Sequence, residues 1–114
     1  RRQRQMCIRD RVELRVGQIL RAEPLPKSRS LYKLEVDLGF EKRTILSGIK
    51  AFYTPEELTG RKVVVVVNLK PVKMCGTLSS GMLLAAGTGE PHSSDEKLSL
   101  VAPAEDIPLG SRVR

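Results

Sequence analysis

Residues 62–67 read KVVVVV, and five consecutive valines leave few folding options. Valine is branched at Cβ, which restricts χ1 in a helix and suits the pleat of a strand. The run is shorter than a buried helix and far below the roughly 18 apolar residues of a membrane helix. Successive strand side chains point to opposite faces, so an all-apolar strand offers neither face to water. KVVVVVNL is therefore predicted as a strand covered on both sides, suited to the middle of a small barrel.

The preceding segments read as strands with one wet face. In VELRV, Val12, Leu14 and Val16 point one way and Glu13 and Arg15 the other. Gly17 interrupts the alternation, which resumes through Ile19, so a bulge or bend is expected at Gly17. EPLPKSRS is a loop with two prolines. LYKLEVDLG alternates again, with Tyr32, Leu34, Val36 and Leu38 inside and Lys33, Glu35 and Asp37 outside. Gly39 turns the chain, and KRTILSGI returns as a third strand. TPEEL starts a short helix: Thr54 is the N-cap, Pro55 takes the first position and Glu57 completes a capping box. Tyr53 and Leu58 are placed for a hydrophobic staple, and Gly60 stops the helix. MLLAAG and LSLVAP supply further strand material around the turn-rich GTGEPHSSDE.

The order is strand, strand, strand, short helix, strand, strand. That is the order of an all-β OB-fold, a five-stranded Greek-key barrel with a helix between strands 3 and 4. A small barrel of another type is the alternative. With 114 residues, 40% of them hydrophobic, one domain with a single core is expected over residues 12–114. Residues 1–11, RRQRQMCIRDR, show no apolar period and read as a disordered basic arm or an appended segment foreign to the fold.

The chain carries 20 Lys and Arg against 13 Asp and Glu, a net charge of +7. Residues 1–11 hold five of the arginines and one acid, so the body is only +3. The charge is nonetheless polarised. Residues 61–87 hold Arg61, Lys62, Lys70 and Lys73 with no acid, whereas residues 90–106 hold five acids against Lys97. A basic face of this kind fits an anionic partner such as nucleic acid. No signal peptide or membrane span is visible. The two cysteines, Cys7 and Cys75, lack metal-ligand spacing, and reduced thiols in an intracellular, cytoplasmic protein are expected.

Between the two apolar runs lies NLKPVKMCGTLSSGM. Pro71 ends the valine ladder because it has no N–H to donate, and it holds Lys70 extended. Lys70 and Lys73 then stand near the strand's mouth with no local acid. Gly76 and Gly81 permit tight turns, Ser79 and Ser80 offer hydroxyls to a base or phosphate, and Met82 offers a flexible apolar surface. The segment equally reads as a plain connecting loop between two core strands.

RVGQI, LYKLEVDLG, RTILSGI, YTPEELTGRKVVVVVNLKPVKM and LSSGMLLAAG together resemble the tRNA-binding domain family. That family includes free-standing structure-specific tRNA-binding proteins, the C-terminal domain of many methionyl-tRNA synthetases, and the domain related to endothelial monocyte-activating polypeptide. The resemblance covers residues 12–114 and implies an OB-fold that binds tRNA by shape at the outer corner of the L. It maps the family's NLKPxK segment onto Asn68, Leu69, Lys70, Pro71 and Lys73. It maps the SQGM tRNA-contact signature onto Ser79, Ser80, Gly81 and Met82, with Ser80 standing where Gln is usual. Serine is shorter, so one hydrogen bond to tRNA is missing or bridged by water. Leu25, Pro26, Lys27, Ser28, Arg29 and Ser30 replace a His-Pro-Asx-Ala-Asp-Lys pattern. Lys27 and Arg29 make this loop basic.

Candidate phosphate contacts are thus Lys27, Arg29, Arg43, Lys70 and Lys73. Of four aromatics, Tyr32 and Tyr53 are explained by core and staple, which leaves Phe40 and Phe52. A single-strand stacking platform is poorly supplied, and recognition of a folded RNA fits better. No catalytic set, metal site or cofactor motif is present: His92 stands alone in a turn, and Cys75 has basic neighbours but no base placed to use it. The expectation is a non-catalytic tRNA-binding module, free-standing or appended to a methionyl-tRNA synthetase. The alternative of the same fold is a dimeric peptide-binding secretion chaperone, and a cytokine-like or scaffold role is a third. The chain ends at GSRVR without the extra C-terminal segment of animal relatives. A homodimer is therefore expected, through the N-terminal strand and LSLVAPAEDIPLGSRVR.

Overall fold

The computed structural model describes residues 12–91 and 93–113. The expectations for residues 1–11, Cys7 and His92 lie outside them. Among the described residues ten strands and one short helix follow in order: β1 (Leu14–Pro24), β2 (Tyr32–Asp37), β3 (Lys42–Ser47), α1 (Pro55–Leu58), β4 (Lys62–Val66), β5 (Val72–Met74), β6 (Thr77–Ser79), β7 (Met82–Leu83), β8 (Ala85–Thr88), β9 (Lys97–Leu100) and β10 (Arg112–Val113). The main sheet runs β3-β2-β1-β4-β7, with β10 added to β1, and all its pairings are antiparallel. Its ends meet where the Ser80 amide donates to the Thr44 carbonyl at 2.9 Å. This is the OB topology expected from the strand order.

The core is filled by alternate residues of the strands. Tyr32, Leu34 and Val36 on β2, Ile45 on β3, and Val63, Val65 and Val67 in the valine run share one buried cluster. Val64 and Val66 point the other way and are only 5% exposed, so the run is covered on both sides as its composition requires. The same opposite face of β1 carries Val16, paired with Val64 and 3% exposed.

β1 serves three partners in turn. Leu14–Gln18 pair with β4, and Gln18–Pro24 pair with β2. The edge that β2 leaves free at Leu14–Val16 is taken by the C-terminal segment. Leu14 and Arg15 pair with β10, Val16 donates to Ser111, and Gly110 donates to Val16. The Lys62 ammonium fixes this segment through the Asp106 carboxylate and the Ile107 carbonyl.

The register corrects the expected bend. Pairing continues unbroken through Gly17, and the irregularity lies between Ile19 and Arg21. Gly17 serves packing instead: a Cβ there would stand 2.8 Å from Val36 Cγ1 and 3.0 Å from Leu38 Cδ2. Glu23 and Pro24, read as loop, complete β1. MLLAAG is not one strand either. It divides into β7, which stays with the barrel, and β8, which pairs with β9 as a separate hairpin.

The helix is as short as its signals. Thr54 accepts the Glu57 amide at 3.2 Å, and the Glu57 carboxylate accepts the Thr54 amide at 2.9 Å. Tyr53 and Leu58 pack in the core cluster on either side of this cap. The Thr54 backbone amide, and then its hydroxyl, hold the Glu57 carboxyl below its ordinary value. A lowered carboxylate stabilises the folded form above its ordinary range, and that contribution is lost as pH falls through the lowered value. Thr54→Ala is expected to cost about 1 kcal/mol in urea denaturation at neutral pH, and less in acid.

Candidate nucleic-acid interface

The segment between the apolar runs is an ordered hairpin, which corrects its reading as a loop. β5 and β6 pair from Val72–Ser79 to Met74–Thr77 and leave a two-residue turn at Cys75-Gly76. Both turn residues have positive φ, 49° and 80°. Two such residues make the turn that matches strand twist, and glycine adopts the second without strain. Cys75, a free exposed thiol, takes a position where Asn or Asp is usual, which hid the hairpin from a residue-type reading.

The hairpin rests on β3 at Ser79 and carries exposed side chains beyond that contact. Val72 and Leu78 lie on opposite faces and are 55% and 53% exposed. Lys73 sits mid-strand directly across from Leu78, and Lys70 precedes Pro71 at the hairpin's entry; both lysines are exposed. Its tip reaches the predicted basic loop, where Cys75 Sγ lies 3.9 Å from the Lys27 carbonyl. That loop is held by buried Leu25 and by Ser28, whose hydroxyl accepts the amides of Ser30 and Leu31 at 3.2 and 3.1 Å. Lys27 and Arg29 flank Ser28 and are exposed. The Lys50 amide donates to the Ser30 carbonyl, which sets a third basic residue beside the loop. None of the ion pairs among the described residues involves Lys27, Arg29, Lys70 or Lys73.

Other candidates have structural duties. Ser79 is only 4% exposed; its hydroxyl accepts the Leu46 amide at 3.0 Å and donates to the Gly81 carbonyl at 3.2 Å. Ser79→Ala leaves the buried Leu46 amide without a partner and is expected to cost about 1–3 kcal/mol in denaturant unfolding. The Asn68 side chain accepts the Glu13 amide at 2.9 Å, tying the end of the valine run to the start of β1. Arg43 gives one nitrogen to the carbonyls of Val67 and Ser80 and the other two to Glu41. Ser80 is half-buried, and Met82 is 52% exposed, so Met82 fills no core gap.

A groove of about 550 Å³ separates β3 from the hairpin and is lined by Lys42, Leu69, Pro71, Leu78 and Ser80, among others. Sequence reasoning missed Lys42, Lys50 and Ser28. Ser28 had a signal, since serine within a proline-flanked loop forms local turns. Lys42 and Lys50 had none, because nothing local tells a solvated lysine from one beside a groove.

A curled half-barrel of this topology with a cationic hairpin at one side has the architecture of oligonucleotide-binding OB-folds. The chain belongs to the family described as "Putative tRNA binding domain", whose model matches residues 14–112. A methionine–tRNA ligase of Methanococcus aeolicus is 53% identical over 103 residues, covering 90% of this chain and 14% of the ligase. This chain thus spans about a seventh of that relative. The crystal structure of a MetRS related protein from Pyrococcus horikoshii superposes with a TM-score of 0.84 at 40% identity, over 96% of this chain and 95% of that one. The chaperone CsaA from Bacillus anthracis superposes at 0.79 with 28% identity, over 96% of each chain.

Proposed function

We propose that this chain is a non-catalytic module that binds folded tRNA by shape and backbone, as the tail of a methionyl-tRNA synthetase or as a free-standing protein in the cytoplasm. The observation that carries the reading is the β5–β6 hairpin. It carries Lys70 and Lys73, and reaches with its tip the loop of Lys27 and Arg29. Four cations outside the ion pairs among the described residues, on neighbouring elements, suit successive phosphates, whose neutralisation releases counterions. Phe40 and the partly buried Phe52 are on other elements, so stacking on unpaired bases has little support here.

The exposed Val72, Leu78 and Met82, with the likeness to CsaA, favour a second reading as a peptide-binding chaperone. Titration with unfractionated tRNA at rising salt separates the two. The RNA reading expects affinity to fall steeply with salt. Salt-independent binding of an unfolded peptide, with no tRNA binding, would replace it by the chaperone reading. The proposal includes a homodimer, supported by the exposed Val12 and Val113 beside the β1–β10 edge.

A further inference from the structure

The hairpin must be held at a fixed angle to present its lysines, yet it forms a two-stranded sheet of its own. On the β6 side it is tied to β3 by the Ser79 hydroxyl, which accepts the Leu46 amide, and by the Ser80 amide, which donates to Thr44; one side chain reaches both ends of its stem. Arg43 Nη1 donates to the Val67 carbonyl at 2.6 Å and to the Ser80 carbonyl at 3.2 Å. Val67 is the last buried residue before the excursion, and Ser80 is the first residue after β6. A single nitrogen therefore staples both ends of the stem. Nε and Nη2 donate to Glu41 Oε1 at 2.9 and 2.6 Å, which fixes the plane of the guanidinium. The Arg43 side chain is 22% exposed.

Building on the tRNA-binding reading, we propose that Arg43 is a positioning residue for RNA binding and not a phosphate ligand: it staples the hairpin stem, and Glu41 aims it. A planar fork that serves two carbonyls and a carboxylate together is a property of arginine. Lysine offers a compact ammonium on a different reach. The charge of Arg43 is already balanced by Glu41, whereas a phosphate ligand needs its charge uncommitted.

The test is tRNA affinity for Arg43→Lys, Glu41→Ala, Lys73→Ala and the Arg43→Lys/Lys73→Ala double variant. Binding is measured well below each variant's melting temperature, so that only folded protein is compared. Arg43→Lys is expected to weaken binding about tenfold although the charge is kept. Glu41→Ala is expected to weaken it too, although removing an acid near an RNA face should tighten binding through simple electrostatics. The double variant should lose less than the product of the single losses, because both act through one hairpin. Wild-type affinity in Arg43→Lys, tighter binding by Glu41→Ala, or strictly multiplicative losses would each overturn the staple. If the wild-type chain binds no tRNA, the functional reading fails first. The staple is then judged by amide exchange, which Arg43→Lys should accelerate at Ser80 and across β5–β6 but not at Leu34 or Val65; unchanged exchange at the hairpin rejects it.

Discussion

Replacing Lys70 and Lys73 together by alanine is expected to weaken tRNA binding roughly 60-fold at about 0.1 M salt. Each phosphate contact contributes about 0.9 to the slope of log affinity against log salt for a duplex. Going from about 1 M down to about 0.1 M therefore gives roughly eightfold per contact, and two contacts multiply. The slope itself should fall by nearly two. Both lysines are exposed and belong to none of the ion pairs among the described residues, so the thermal melt should hardly move. The salt series matters more than one affinity, because only the slope counts phosphates. A double variant that keeps both the affinity and the slope removes the hairpin from the RNA interface.

Leu34→Ala is expected to cost about 2–5 kcal/mol of stability. Leu34 is fully buried in the middle of β2, registered against Ala22 on β1 and Ile45 on β3. Three paired strands hold the backbone at that point, so the cavity cannot close by moving one of them. For a domain of about this size the loss corresponds to a melting temperature lower by roughly 10–25 °C. Urea denaturation checks it. A loss below about 1 kcal/mol would mean that the core repacks freely, against the close packing expected of a protein interior.

The local rules worked wherever the cause was local. Tyr32–Asp37 alternate in burial as their residue types require, because strand side chains have a period of two whatever lies opposite. The Thr54–Glu57 cap closed as written, because its partners are three residues apart. The five valines required two covered faces and received them.

Less was legible where the deciding partner is distant. Val16 and Ile19 are both buried but on opposite faces of β1, and the core cluster takes Ile19. Val16 is buried on the other face, paired with Val64. Gly17 was read as a bend, yet its cause is the close approach of Val36 and Leu38, some 20 residues away. Nothing local to Ser79 or Arg43 shows that the Leu46 amide or the Val67 carbonyl meets them. The hairpin itself was hidden by Cys75, whose positive φ has no signature in its residue type.

The amino-acid sequence alone determined the strand order, the capped helix, the doubly covered valine strand and the excess of cations in the segment between the apolar runs. These follow from side-chain branching, periodicity and caps, which act over a few residues. Only the tertiary structure decided that this segment is a paired hairpin, that its tip meets the basic loop, and that Arg43 and Ser79 bond to distant backbone while Lys70 and Lys73 stay exposed. A hydrogen bond between residues 24 or 33 apart depends on where the curled sheet brings them, and no local pattern encodes that distance.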